Sequence, residues 1–179
     1  MNPFKYTLKF TGTGLFIVLL FTGCGNFENK KKLLFSNNLE SIYGWNPDTK
    51  IIRIDSHSGH FSAYADSTEI YNLGFRLPLK DISLEKIYHA RAKVWANCSA
   101  LNNSSFLVVC LISKNESKAY SSTKVENFTT KTGVWFGVEC LLDLPNDASP
   151  DDELVVYVMN QGKDRVLFDD MEIEAITIE

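Results

Sequence analysis

The sequence predicts an all-β protein folded as a two-sheet antiparallel sandwich, and three observations carry that expectation. Short runs rich in Val, Ile, Phe, Tyr and Thr recur along the chain. Turn chemistry separates them, and no helical periodicity persists for long. Composition agrees: of 179 residues 45% are hydrophobic and 12% aromatic, an ordinary balance for about one domain. The formal charge is -4 and the only basic run is Lys30-Lys31-Lys32, too short to line a nucleic-acid groove.

Taken in order, the expected strands are 33–35, 51–55, 60–65, 71–77, 87–97, 106–113, 134–142, 154–160 and 166–178. Asn46-Pro47-Asp48, Ser58-Gly59, Asn102-Asn103, Lys131-Thr132-Gly133, Pro145-Asn146-Asp147 and Gln161-Gly162-Lys163 supply the turns between them. The stretch 155–178 holds two apolar runs around a polar, glycine-bearing turn, and is expected to be a closing β-hairpin. In the run after Tyr88, strict alternation sends Ala90, Ala92, Val94, Ala96 and Cys98 inward. It sends His89, Arg91, Lys93, Trp95 and Asn97 to the opposite face. That face is either plain solvent surface or a platform on which a sugar ring stacks while polar neighbours hold its hydroxyls. Tyr157, out of phase with Leu154, Val156 and Val158, is assigned to the same platform, so Trp95, Arg91 and Tyr157 are the candidate ligand contacts.

The N-terminus reads as a targeting segment. Lys5 and Lys9 form a positive region without acids, and the run 15–21 (LFIVLLF) is apolar but far shorter than the ~20 residues of a membrane span. Phe21-Thr22-Gly23-Cys24 resembles the lipobox of bacterial lipoproteins, with Phe21 departing from the commoner leucine. The resemblance implies a signal peptide over 1–23, acyl chains such as palmitate on Cys24, and a polar tether over 24–32. The sandwich domain would then occupy 33–179, exported and lipid-anchored to the bacterial cell membrane or outer membrane. Loss of Lys5 and Lys9 would take the net charge from -4 to -6. Cys98, Cys110 and Cys140 remain, an odd number that cannot all pair internally. Each sits in an apolar run as a small hydrophobe, and their spacing matches no zinc pattern.

Further along, Asn38-Leu39-Glu40, Trp45, the run His57-Ser58-Gly59-His60-Phe61-Ser62, Thr132-Gly133-Val134-Trp135 and the segment 160–171 resemble the galactose-binding-like jelly-roll superfamily, carbohydrate-binding modules above all. The resemblance implies a jelly-roll sandwich with Trp45 and Trp135 in the core. It also implies a structural calcium held by Glu40, a Ser58-Gly59 backbone carbonyl (Ser58) and Asp169. Alternation favours Asp169 over Asp170 as the inward carboxylate, sharing a face with Leu167, Met171 and Ile173. His57 and His60 overlie the resembled turn and are read as structural. There is no nucleophile elbow, Walker loop or dinucleotide glycine pattern, and the acid runs Asp151-Asp152-Glu153 and Asp169-Asp170 are read as loop solubility and cation binding. The expectation is therefore a non-enzymatic envelope protein binding glycan, or alternatively an adaptor lipoprotein docking another envelope protein. Nucleic acid is not an expected partner.

Overall fold

The structure, a computed structural model, describes residues 29–41, 45 and 48–178. The expected signal peptide, Cys24 and most of the tether lie outside these residues. Among the described residues, no helix is long and apolar enough to cross a membrane.

The chain forms β1 (Asn29–Asn37), β2 (Ile51–Ile52), β3 (Ser62–Ala65), β4 (Tyr71–Pro78), β5 (Ile87–Cys98), β6 (Ser105–Ser113), β7 (Glu116–Lys124), β8 (Trp135–Asp143), β9 (Glu153–Asn160) and β10 (Val166–Ile178). Every pairing is antiparallel. One sheet runs β2-β3-β10-β5-β8 with β1 also on β10, and the other runs β4-β9-β6-β7. The two-sheet sandwich expected from the sequence is the observed architecture. β1 begins at Asn29, inside the stretch read as tether, and the first β2–β3 segments are shorter than expected.

β10 organises the larger sheet. One edge pairs with β5 along most of its length, and the other is shared: Val166–Phe168 pair with β3, then residues 171–178 pair with β1. At the handover the register slips between Asp169 and Glu172, with Asp170 at φ 47°. This is a β-bulge: one extra residue breaks the two-residue period and re-aims the side chains beyond it.

The inner faces of both sheets supply the core. On β5, Ala90, Ala92, Val94, Ala96 and Cys98 are all buried, as alternation required. They meet Leu107, Val109, Leu111, Leu154, Val156 and Val158 from the other sheet. Trp45 packs on Phe75 with ring centroids 5.6 Å apart, in the core as expected. Trp135 is not a core residue: on β8 it is Phe136, Val138, Cys140 and Leu142 that face inward, so Trp135 turns outward. Cys98, Cys110 and Cys140 are free and buried. Burial, with Glu126 nearby, pushes the Cys98 thiol up to about 11, so it is an inert small hydrophobe rather than a nucleophile.

Two expectations of element order need correction. β7 was not anticipated, because ESKAYSSTK carries no large apolar residue on its inner face. It forms because Lys114 and Asn115, at φ 50° and 68°, make the doubly left-handed turn that matches the twist of a two-residue hairpin. The segment 155–178 is not a hairpin. β9 lies between β4 and β6 in one sheet and β10 between β3, β1 and β5 in the other, so residues 161–165 cross the sandwich. Asn160, 0% exposed, shapes this crossing. Its Nδ2 donates to Asp164 O (2.7 Å) and Ala65 O (3.0 Å), and its Oδ1 accepts from Gly162 N (2.7 Å). Gly162 presses on the Asn103 carbonyl so closely that any Cβ would collide with it.

Candidate functional site

The β10 bulge is capped by the loop that precedes β3. Asp169 Oδ2 accepts from His57 N (2.8 Å) and Ser58 N (3.0 Å), and its Oδ1 accepts from Asp170 N (2.8 Å). Asp170 takes His57 Nδ1 at 2.5 Å and Ser58 Oγ at 2.7 Å. Across the loop, Glu40 Oε1 accepts from His60 N (2.5 Å) and Phe61 N (3.2 Å), beneath Gly59 at φ 60°. A side chain on Gly59 would both demand a left-handed backbone and strike Glu40.

These contacts do not fit the expected structural calcium. Glu40, Ser58 and Asp169 do come together through one turn, but the Asp169 oxygens and Glu40 Oε1 receive backbone N–H donors, which place positive dipoles where a cation would sit. Among the described residues, no group of three or more His, Cys, Asp or Glu is placed to hold a metal ion. Asp169 is fully buried, yet for a different reason than parity: it pairs with Trp95, in outer-face register, and the His57-Ser58 loop covers it. Burial pushes its carboxyl above the usual range, with the three N–H bonds opposing and the Asp170 charge adding to the rise. His57 also packs against two indoles. It stacks on Trp95 with centroids 3.7 Å apart and meets Trp135 edge-on at 6.0 Å.

The three candidate ligand contacts do not share one platform. Trp95, 38% exposed, lies on the outer face of the larger sheet and lines a groove of about 760 Å³. Arg91 projects from the same face but is bound through Nε and Nη2 to Glu174, with Lys93 Nζ 3.4 Å from the same carboxylate. Burial pushes Glu174 up, but Arg91 and Lys93 outweigh it and hold the carboxyl below its ordinary value. Tyr157 stands on the outer face of the opposite sheet, because β9 belongs to that sheet.

There Tyr157 has aromatic company that sequence reading missed. Its ring meets Tyr71 edge-on at 5.8 Å. Tyr120 stands on the adjoining strands, opposite Cys110, which in turn pairs with Val155. Tyr71 is 61% exposed and Tyr120 52%. Between them Val108 and Cys110 alternate with the core residues Leu107, Val109 and Leu111, so they face outward, yet they are 0% and 4% exposed. Arg76 and Glu153, paired with each other, close one end of this face. Burial, assisted by Cys110, Tyr120 and Tyr71, pushes the Tyr157 hydroxyl up to about 12, so it is a neutral donor at physiological pH. The signal was present in the sequence: FLVVCLI and LVVYVM are apolar on both parities, which in an antiparallel sandwich implies an apolar outer face.

The acidic run at 151–153 is already partnered. Asp151 pairs with Lys80, Glu153 with Arg76, and Asp152 with Lys118 and Ser149 N. Burial pushes Asp152 up, but Ser149, Ser113 and Lys118 outweigh it and hold it below its ordinary value. Ser58 Oγ donates to Asp170 rather than to His57, so no Ser–His pair forms there.

No protein-family model matches the chain, and no curated protein matches it. Among solved structures, the chain is similar to the CBM22-1 xylan-binding domain of Paenibacillus barcinonensis Xyn10C, at 16% identity and TM-score 0.53. The match covers 82% of this chain and 96% of that one. It is also similar to the CBM22-1–GH10 modules of Clostridium thermocellum Xyn10B complexed with xylohexaose, at 14% identity and TM-score 0.51. There it covers 80% of this chain but 28% of that one. At such identities the likeness is one of fold. The chain is an all-β jelly roll of two antiparallel sheets, the fold of those carbohydrate-binding modules.

Proposed function

We propose that this is a lipid-anchored cell-envelope protein whose sandwich binds carbohydrate without catalysis, and that the tyrosine face of the β4-β9-β6-β7 sheet is the binding surface. The supporting observation is that face itself. Tyr71 and Tyr120 stand exposed around half-buried Tyr157, over outward Val108 and Cys110. A pyranose ring is apolar on its faces and polar at its rim. Flat phenol rings stack on the first, and the Tyr157 hydroxyl with the Arg76–Glu153 pair hydrogen-bonds the second. The fold neighbour described as xylan-binding makes xylo-oligosaccharides the first ligands to try.

Titration calorimetry with xylohexaose and a panel of other β-linked oligosaccharides tests the proposal. Tyr157→Ala and Tyr120→Ala are each expected to weaken binding about tenfold, the equivalent of an aromatic contact worth ~1.5 kcal/mol. Absence of binding across the panel, together with a stable co-purifying envelope protein, would instead support the adaptor reading.

Anchoring rests on the lipobox resemblance at Cys24 and has its own test. Cys24→Ala is expected to move the protein from the membrane pellet to the soluble fraction. Retention in the pellet would sink the anchor.

A further inference from the structure

We infer that the groove on the opposite, larger sheet is a second saccharide site, one that prefers an amine-bearing chain, so that one domain grips two glycans back to back. The groove crosses four adjacent strands. One outward row runs Ser36, Glu172, Lys93, Glu139 from β1 through β10 and β5 to β8. In the next row Trp95 stands beside Gly137, and Phe128, 43% exposed, lines the groove beyond β8. The groove thus offers an aromatic surface at Trp95 and another at Phe128, which lies outside the sheet, with hydrogen-bonding groups in the row alongside.

Two features mark this as a binding groove rather than a crease. Gly137 leaves the floor open beside Trp95: a Cβ built there meets nothing within 4 Å. The Trp95 ring is held in place by the His57 stack, which leaves Trp95 38% exposed.

The sign of the ligand follows from the lining. Asp170, Glu172 and Glu139 line the groove with Lys93, which is itself 3.4 Å from Glu174; Asp170 is bonded to His57 and Ser58, and Glu139 lies 3.9 Å from the Arg91 guanidinium. Among the described residues Glu172 has no ion-pair partner. An acidic groove beside a tryptophan favours hydroxyls that donate and ammonium groups that pair with carboxylates or lie over the indole. It disfavours a uronic-acid chain. The tyrosine face carries no such charge excess, its Arg76 being matched by Glu153. The two faces therefore differ in ligand preference as well as position.

The experiment uses a glucosamine hexamer, a galacturonic-acid hexamer and xylohexaose, titrated into the folded protein. Wild type is expected to bind the glucosamine hexamer at least tenfold more tightly than the galacturonic-acid hexamer, with the preference shrinking as salt is raised. Gly137→Phe, which fills the groove where a side chain has room, is expected to weaken glucosamine-hexamer binding at least tenfold while leaving xylohexaose titrations and Tm unchanged. Glu172→Gln is expected to weaken it several-fold. Tyr157→Ala should leave it intact, which separates this site from the tyrosine face whether or not that face binds. The inference is overturned if the glucosamine hexamer does not bind, if Gly137→Phe binds it as wild type does, or if Tyr157→Ala abolishes it. It is also overturned if an oligolysine peptide displaces the hexamer while the hexamer fails to displace the peptide.

Discussion

Asp169→Ala is expected to destabilise the domain by about 3 kcal/mol, lowering Tm by roughly 6–12 °C for a domain of this size. The carboxylate is 0% exposed and accepts the N–H groups of His57, Ser58 and Asp170. Alanine leaves all three amides without their acceptor. Each orphaned donor costs ~1–3 kcal/mol when it stays buried, and the sum is reduced because the freed loop opens to water. His57 would lose its register over Trp95, so a change in tryptophan fluorescence should accompany the loss of stability. Asp169→Asn keeps one oxygen acceptor but turns an NH2 toward N–H donors, and should fall between alanine and wild type. Burial raises the native carboxyl above its unfolded value, so the native state holds this proton more tightly. This group's contribution is present below the unfolded value of about 3.9 and is lost as pH rises through the native one. Asp169→Asn should remove that segment of the stability–pH curve. Chelation by EDTA should leave wild-type Tm unchanged, since N–H donors and not a cation satisfy the carboxylate. A Tm drop in EDTA matching that of Asp169→Ala would restore calcium and sink this account.

The Asp169 site shows how far sequence reading reached and why it stopped. Alternation along β5 was correct at every inward position, because nothing interrupts its two-residue period between Ala90 and Cys98. The same rule applied to β10 selected the right carboxylate for the wrong reason. The bulge at Asp170 shifts phase, and Asp169 is buried by a loop from 111 and 112 residues away in sequence. Parity cannot see a bulge, since any residue able to adopt a positive φ can host one. Trp95 and Tyr157 were correctly read as outward, but sheet membership is a long-range property. Both strands of 155–178 have apolar runs and a turn between them, and only the pairing of β9 with β4 and β6 shows that they part company.

A division of electrostatic labour follows from the two outer faces. On the larger sheet, Arg91 and Lys93 converge on Glu174, with Glu139 3.9 Å from Arg91, leaving Glu172 to colour the groove. On the smaller sheet, opposite charges are matched and the exposed surface is phenolic. A jelly roll exposes both outer faces of its sandwich at no cost to the core, so the faces can differ in chemistry while sharing one set of inward residues. The carboxylates with depressed native values act in the opposite sense to Asp169. Glu174 and Asp152 contribute stability above their unfolded values that is lost as pH falls through the native ones.

Asn160→Asp is expected to cost more than Asn160→Ala at neutral pH, about 4 against about 2 kcal/mol, and the order should close or reverse in acid. The amide Nδ2 donates to two carbonyls, Asp164 O and Ala65 O, inside a fully buried site. Alanine removes those bonds and the acceptor for Gly162 N. Aspartate keeps the acceptor but sets an ionised oxygen against two carbonyl oxygens, with no described cation bonded to that side chain in the wild type to offset it. Such a carboxyl has a raised native pKa. Its stabilised, protonated form is complete below the unfolded value of about 3.9 and is lost as pH rises through the native one. Urea unfolding of both variants, each measured relative to wild type at pH 7 and pH 4, reads the difference. Were 155–178 a simple hairpin, Asn160 would sit at an exposed turn and both substitutions would fall within about 0.5 kcal/mol of wild type. Small effects at both pH values would mean that β9 and β10 are not joined by a buried crossing, and the assignment of Trp95 and Tyr157 to opposite faces would fall with it.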